Sequence, residues 1–149
     1  MKNTLTFLLF LSANFCLPAQ VQNPVTWKAR YTAISASEGE LIFYAAIDKN
    51  WHMYSQRPTD AGPIPTSFTF TPSRSYQLVG KTEETEAHEE FVPAFEAKIF
   101  VFKDVAEFRQ KIKLTGKPGF IVAVKLEYMT CNDMMCLPPK TIELPVKIQ

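Results

Sequence analysis

Glycine is sparse in this chain of 149 residues (5), histidine occurs twice and cysteine three times. Each scarcity closes off a class of chemistry. There is no Gly-rich loop to cradle a phosphate, no HExxH pair to hold a catalytic zinc, and no Ser/His/Asp spacing for a hydrolase. An excess of one charge is missing too. The 16 Lys and Arg against 15 Asp and Glu leave +1, with no basic block, whereas a nucleic-acid binder needs a cationic stripe to displace counterions. The apolar stretch Leu5 to Leu11 is far short of the roughly 20 residues that a membrane helix requires, and nothing after it spans a bilayer.

What is present describes one folded, exported domain. Hydrophobic residues make up 46% and charged residues 21%, which excludes a disordered or linker chain, and the length suits a single core. Twelve Phe, five Tyr and two Trp beside eleven Pro suggest an aromatic-rich β domain with proline-stiffened loops. At the N-terminus Lys2, the apolar run Leu5 to Leu11 and Leu17-Pro18-Ala19 compose a secretory signal. Bulky Phe15 precedes Cys16 where a lipoprotein signal carries a small residue, so cleavage after Ala19 is favoured over lipidation. Residues 1–19 are expected to be removed, leaving residues 20–149 as a single domain of 149 − 19 = 130 residues. That domain keeps two cysteines, Cys131 and Cys136, in a compartment where disulfides persist. The periplasm is the expected location.

Period-two alternation dominates the rest. Val25, Trp27, Ala29 and Tyr31 share one face of a first strand, and Glu40 to Ile47 reads as a central strand buried on both faces. Trp51 to Tyr54 is extended, Pro58 to Pro65 is a loop, and Ser67 to Phe70 is a short strand. Lys81 to Glu90 is acidic and polar and reads as a solvated connection or a single helical turn. Phe91 to Phe95 is a hydrophobic stretch broken by Pro93. Strands follow at Lys98 to Phe102, Ala106 to Leu114, Phe120 to Tyr128 and Thr141 to Ile148. Eight or nine short strands with no helical crossover predict an all-β fold, two antiparallel sheets packed as an immunoglobulin-like β-sandwich.

The segment from Tyr128 to Pro139 is where chemistry can live. Asn132-Asp133 favours a turn, letting the sulfurs of Cys131 and Cys136 approach across a hairpin mouth. A bridge closing so short a loop is worth only about 2 kcal/mol in the chain-entropy model, and the residues alone leave a structural staple and a redox-active pair equally open. No Cys-x-x-Cys heads a helix, so thioredoxin-type activation is absent. Reactivity would have to come from exposure, strain or a loop that opens and closes over the pair.

Tyr-Met-Thr-Cys-Asn-Asp-Met-Met-Cys-Leu-Pro-Pro, followed by a strand, resembles the N-terminal periplasmic domain of the thiol:disulfide interchange protein DsbD. Asn50-Trp51-His52-Met53-Tyr54 resembles that family's aromatic strand, and Phe95-Glu96-Ala97-Lys98 its cap loop. The resemblance covers most of residues 25–148. It implies an immunoglobulin-like sandwich whose cysteines take electrons from an upstream thioredoxin-like domain and pass them to periplasmic disulfide-containing proteins such as the disulfide isomerase DsbC. It implies that Cys136 forms the mixed disulfide, that Cys131 resolves it, that Phe95 shields the pair, and that Tyr54 and His52 lie beside it. Four residues separate the cysteines here against five in the best-known members, and Ala97 replaces the cap-loop glycine. The implied domain is a monomer that uses neither a metal nor an organic cofactor.

Two rivals come from the residues themselves. Met129, Met134 and Met135 crowd the cysteines, with Met53 and His52 in reach, and soft thioether and thiolate ligands select Cu(I); the chain could be a periplasmic Cu(I) carrier. Met134 or Met135 could equally pack on the sandwich as a gap filler. The other rival is a binding module whose disulfide is purely structural. His88, within the acidic run, reads as a solvated side chain.

Overall fold

In the computed structural model, which describes residues 22–60 and 62–149, the alternating stretches become paired strands. The expected signal peptide, residues 1–19, lies outside the described residues. In chain order the strands are β1 (Val25–Ala33), β2 (Glu38–Ile47), β3 (His52–Tyr54), β4 (Ser67–Phe70), β5 (Tyr76–Glu84), β6 (His88–Val92), β7 (Ala97–Phe102), β8 (Val105–Leu114), β9 (Ile121–Tyr128), β10 (Thr130–Cys131) and β11 (Lys140–Lys147). One turn of 3-10 helix, Pro93–Phe95, joins β6 to β7. No described helix is long and apolar enough to cross a membrane. All strand pairings are antiparallel, and the fold is the all-β, immunoglobulin-like sandwich that the alternation predicted.

The sandwich differs from the expected pair of sheets in having three, ordered β1-β2-β8-β5, β11-β9-β4 and β10-β3-β7-β6. The second layer is divided. After Tyr54 the chain runs through Pro58, Pro63 and Pro65, which have no N–H to extend a ladder. It returns as β4, which pairs with β9, while β3 pairs with β10. β9 and β10 are almost continuous, interrupted only at Met129, so the division opens one end of the sandwich.

Lys81 to Glu90 is neither a solvated connection nor a helical turn. Its first half completes β5 against β8 and its second half begins β6 against β7. Polarity hid these strands because their inward groups are polar and satisfied. Thr82 Oγ1 donates to Gln110 Oε1 at 2.9 Å, and the fully buried Gln110 amide donates to the carbonyls of Val79 and Lys111. Glu84 accepts from Ser55 Oγ at 2.6 Å and from the Gln56 N–H at 2.8 Å. A register shift between Val79 and Glu83 contains Gly80 at φ 69°, a left-handed conformation costly for other residues. The Phe91–Phe95 stretch stays in the ladder as far as Val92 and turns only at Pro93. β2 is central, between β1 and β8, and buried on both faces only in part: Leu41, Phe43 and Ala45 are buried inward, and on the outer face Ile42 is buried while Tyr44 is 38% exposed.

Aromatic rings lock the layers together. Trp27 and Phe43 from the first sheet meet Phe68 of the second at centroid distances of 6.4 and 4.8 Å. Phe108, fully buried on β8, touches Phe68 at 5.1 Å and Phe102 of the third sheet at 5.5 Å, so one side chain joins all three. Burying each such ring stabilises the fold by about 1.5–3 kcal/mol. Pro145 sits within β11, an edge strand, where its missing N–H breaks no ladder. The third sheet has its own smaller core of Tyr54, Val92, Ile99, Val101 and Cys131. The cysteines belong to that core.

Candidate functional site

Two backbone bonds shape the cysteine hairpin: the Leu137 N–H donates to the Thr130 carbonyl, and the Asn132 N–H to the Met135 carbonyl, each at 2.9 Å. Cys131 and Cys136 face each other between these bonds, the narrow position of an antiparallel pair. Their Cα atoms are 4.0 Å apart and the sulfurs are joined as a disulfide. Asn132 closes the turn, its Oδ1 accepting from the N–H groups of Met134 and Met135 at 2.9 and 2.8 Å. The two sulfur-bearing residues are not equivalent. Cys131 is 1% exposed within the small core, whereas Cys136 lies at its margin, half-buried.

β3 lies beside the hairpin, with His52 directly opposite Cys131 and Met53 opposite Thr130. Alternation sends Met53 to the large core, fully buried, and His52 and Tyr54 to the other face. His52 Nε2 is 3.1 Å from the Tyr54 hydroxyl, with the rings edge to face. Partial burial holds the imidazole below its ordinary value of 6.5; Glu90 opposes this, Lys103 adds to it and Asp133 opposes it more weakly. Burial pushes the Tyr54 hydroxyl up, so it stays protonated.

Phe95 ends the 3-10 turn between β6 and β7. Pro93 presets the first φ of that turn, and Glu96 closes it at φ 50°, its N–H donating to the Pro93 carbonyl. The left-handed residue is therefore Glu96, and Ala97 is an ordinary strand residue paired with Val92. This four-residue loop directs Phe95 onto Tyr54, edge to face at 6.0 Å, against the same small core as Cys136.

The structure thus gathers Cys131, Cys136, His52, Tyr54 and Phe95 at one end of the sandwich. It also adds residues that sequence reasoning did not single out. A groove of about 790 Å³ runs along the disulfide, bordered by Trp51 and His52, by Glu90 and Phe91 of β6, by Lys103 and Asp104, and by Asp133 in the turn. Lys103 pairs with Glu90 at 2.7 Å. Phe91, Met134 and Met135 stand exposed around it at 61%, 88% and 46%. Asp133, Met134 and Met135 lie between the cysteines in sequence; Trp51 and His52 arrive with the β3–β10 pairing, Glu90 and Phe91 with the β6–β7 pairing, and Lys103 and Asp104 from the turn that carries the chain out of β7 into the other sheet. Met129 packs on the small core and Met53 on the large one, so Met134 and Met135 are the methionines that border the groove with the cysteines.

The family model for the N-terminal domain of the thiol:disulfide interchange protein DsbD matches residues 14–147. No curated protein matches the chain at the level of sequence. Among solved structures, the reduced DsbD N-terminal domain of Neisseria meningitidis aligns with TM-score 0.50 and 16% identity over 80% of this chain and 83% of that one. The N-terminal periplasmic domain of ScsB from Proteus mirabilis aligns with TM-score 0.56 and 13% identity over 83% of this chain, which spans 45% of that protein's chain.

Proposed function

The chain belongs to the family of the DsbD N-terminal domain, and from that premise we propose that its Cys131–Cys136 pair exchanges disulfides with partner proteins and relays electrons between them. The observation that carries this reading is the asymmetry of the pair: both cysteines border the groove, but Cys136 is half-buried while Cys131 is 1% exposed within the small core. A bridge that serves only as a staple has no need of it. In exchange chemistry it separates an attacking sulfur, which a partner must reach, from a resolving sulfur, which a partner must not.

The steps follow from thiol–disulfide exchange. The Cys136 thiolate attacks a partner disulfide, forming a mixed disulfide and releasing one partner thiolate. Cys131 then loses its proton and attacks Cys136 Sγ, releasing the second partner thiolate and closing the Cys131–Cys136 bridge. Two electrons pass to the partner. A thioredoxin-like domain upstream restores the dithiol, and the clients are disulfide-containing proteins of the periplasm, where the domain acts after export. Phe95, held on Tyr54, shields the pair until a partner displaces the β6–β7 loop. Redox encounters of this kind use small, transient interfaces.

The test is the reduction potential of the pair, found by equilibrating the protein in thiol buffers, alkylating free thiols and counting them by mass spectrometry. Exchange activity requires a value above roughly −250 mV; a value below roughly −300 mV marks a structural bridge and overturns the reading.

A further inference from the structure

The resolving step has an unmet requirement. A cysteine thiol enclosed in apolar surroundings resists ionisation, yet only the thiolate attacks. Cys131 is 1% exposed and packs among Tyr54, Val92, Ile99 and Val101, so bulk water is a poor acceptor for its proton. A base must stand within reach of this sulfur and on the groove side.

His52 meets that description by strand register. It lies directly opposite Cys131 across the β3–β10 pair, and side chains at directly opposed positions share a face with Cβ atoms about 4.5–5.5 Å apart. His52 borders the groove that both cysteines border, and its Nε2 is tied to the Tyr54 hydroxyl at 3.1 Å, which orients the ring and, with Nε2 carrying the proton, makes Nδ1 the nitrogen that accepts. The other ionisable groups facing it are differently placed. Glu90 on β6 is paired with Lys103, Asp104 is in the exposed β7–β8 turn, Asp133 is at the exposed tip of the cysteine hairpin, and Tyr54 keeps its proton.

We propose that His52 is the proton acceptor for the Cys131 thiol in the resolving step, with Tyr54 as the positioning residue for its imidazole. As Cys131 Sγ attacks Cys136 Sγ, the thiol proton moves to the imidazole and the partner sulfur leaves with the electron pair of the broken bond. The imidazolium then gives its proton to the departing thiolate or to water. In the opposite direction, when an upstream thiolate attacks Cys136, the imidazolium protonates the Cys131 thiolate as it leaves. Partial burial, which keeps the imidazole neutral near pH 7, suits a proton acceptor. The inference rests on the exchange reading and names the group on which its second step depends.

The experiment is stopped-flow mixing of the reduced protein with dithiobis(nitrobenzoate), a small aromatic disulfide that releases one coloured thiolate at each step. In the unaltered protein two phases are expected, the second levelling off above the pKa of the imidazole. In His52→Gln the first phase is unchanged. The second is slower by about a hundredfold near neutral pH, the loss typical of removing a general base, and its rate climbs about tenfold per pH unit as hydroxide takes over. His52→Tyr, which retains a ring at this position, gives the same slow second phase. That result also guards against a folding defect in His52→Gln. Tyr54→Phe slows the second phase less and leaves its pH profile levelling off. An unchanged second phase in both His52 variants at every pH overturns the proposal and leaves the exchange reading intact. Absence of any thiolate release from the unaltered protein overturns both.

Discussion

The two cores of this domain are built from similar residues and do different work. The large one, between the first and second sheets, is a lattice of rings around Phe43, Phe68 and Phe108, continuous and closed to water. The small one, in the third sheet, has five buried residues, one of them Cys131, and is flanked by half-buried Phe95, Ala97, Met129 and Cys136. Its strands are short, β3 with three residues and β10 with two, and it opens on a groove. The difference shows where stability is held and where motion is cheap: elements with few buried contacts open at low free energy, and the disulfide sits in such an element.

The sharpest way to break the comparison is at the cysteines. Cys136→Ser is expected to abolish exchange, while Cys131→Ser accumulates mixed disulfides, both read by non-reducing electrophoresis with a model disulfide protein; neither change should cost the large core its cooperativity. In the large core, Phe108→Ala is expected to destabilise the domain by about 3–5 kcal/mol, measured by urea denaturation, with the reactivity of the cysteines in the folded fraction unchanged. Glu84→Ala, which strands the Ser55 hydroxyl and the Gln56 N–H, should cost about 1–3 kcal/mol in the same assay. Phe95→Ala reverses the pattern. It should lose only about 0.5–1.5 kcal/mol with its contact to Tyr54 yet, on the shielding role proposed for the ring, speed reduction of the disulfide by a small thiol several-fold.

The smallest expected effect is a pH dependence. Because the folded protein holds the His52 imidazole below its ordinary value of 6.5, the unfolded chain binds more protons there as the pH falls. The stability tied to neutral His52 is therefore fully present above about pH 6.5 and lost as the pH drops toward the folded value. Urea midpoints of the unaltered protein and His52→Gln, compared from about pH 7.5 to pH 5, should converge as this contribution vanishes.

Much of the fold was legible because period two in apolar residues has one physical meaning. Trp27, Phe108 and Leu126 alternate with polar neighbours and all face inward. The strands that escaped notice were all of β5 and most of β6; the end of β5 and β6 carry Thr82, Glu84 and Glu90 where an apolar residue would have marked them. Their inward groups are satisfied by Gln110, Ser55 and Lys103, which lie far away in sequence. The same limit applied to the site. The cysteine hairpin, a local feature with its own turn residues, could be read directly, and the positions of Phe95, Tyr54 and His52 came from resemblance to a family. The groove residues Glu90, Phe91, Lys103 and Asp104 left no trace in the linear pattern.

By itself, then, the sequence determined what depends on neighbours along the chain: strand periodicity, proline breaks, the Asn132 turn and the pairing distance of the two cysteines. Tertiary structure alone decided which sulfur is enclosed, which histidine stands opposite it, and that the second layer divides after Tyr54. The physical reason is that burial and strand register arise from contacts between residues distant in the chain, and a one-residue slip of β3 against β10 would put Met53 beside the disulfide and His52 in the large core.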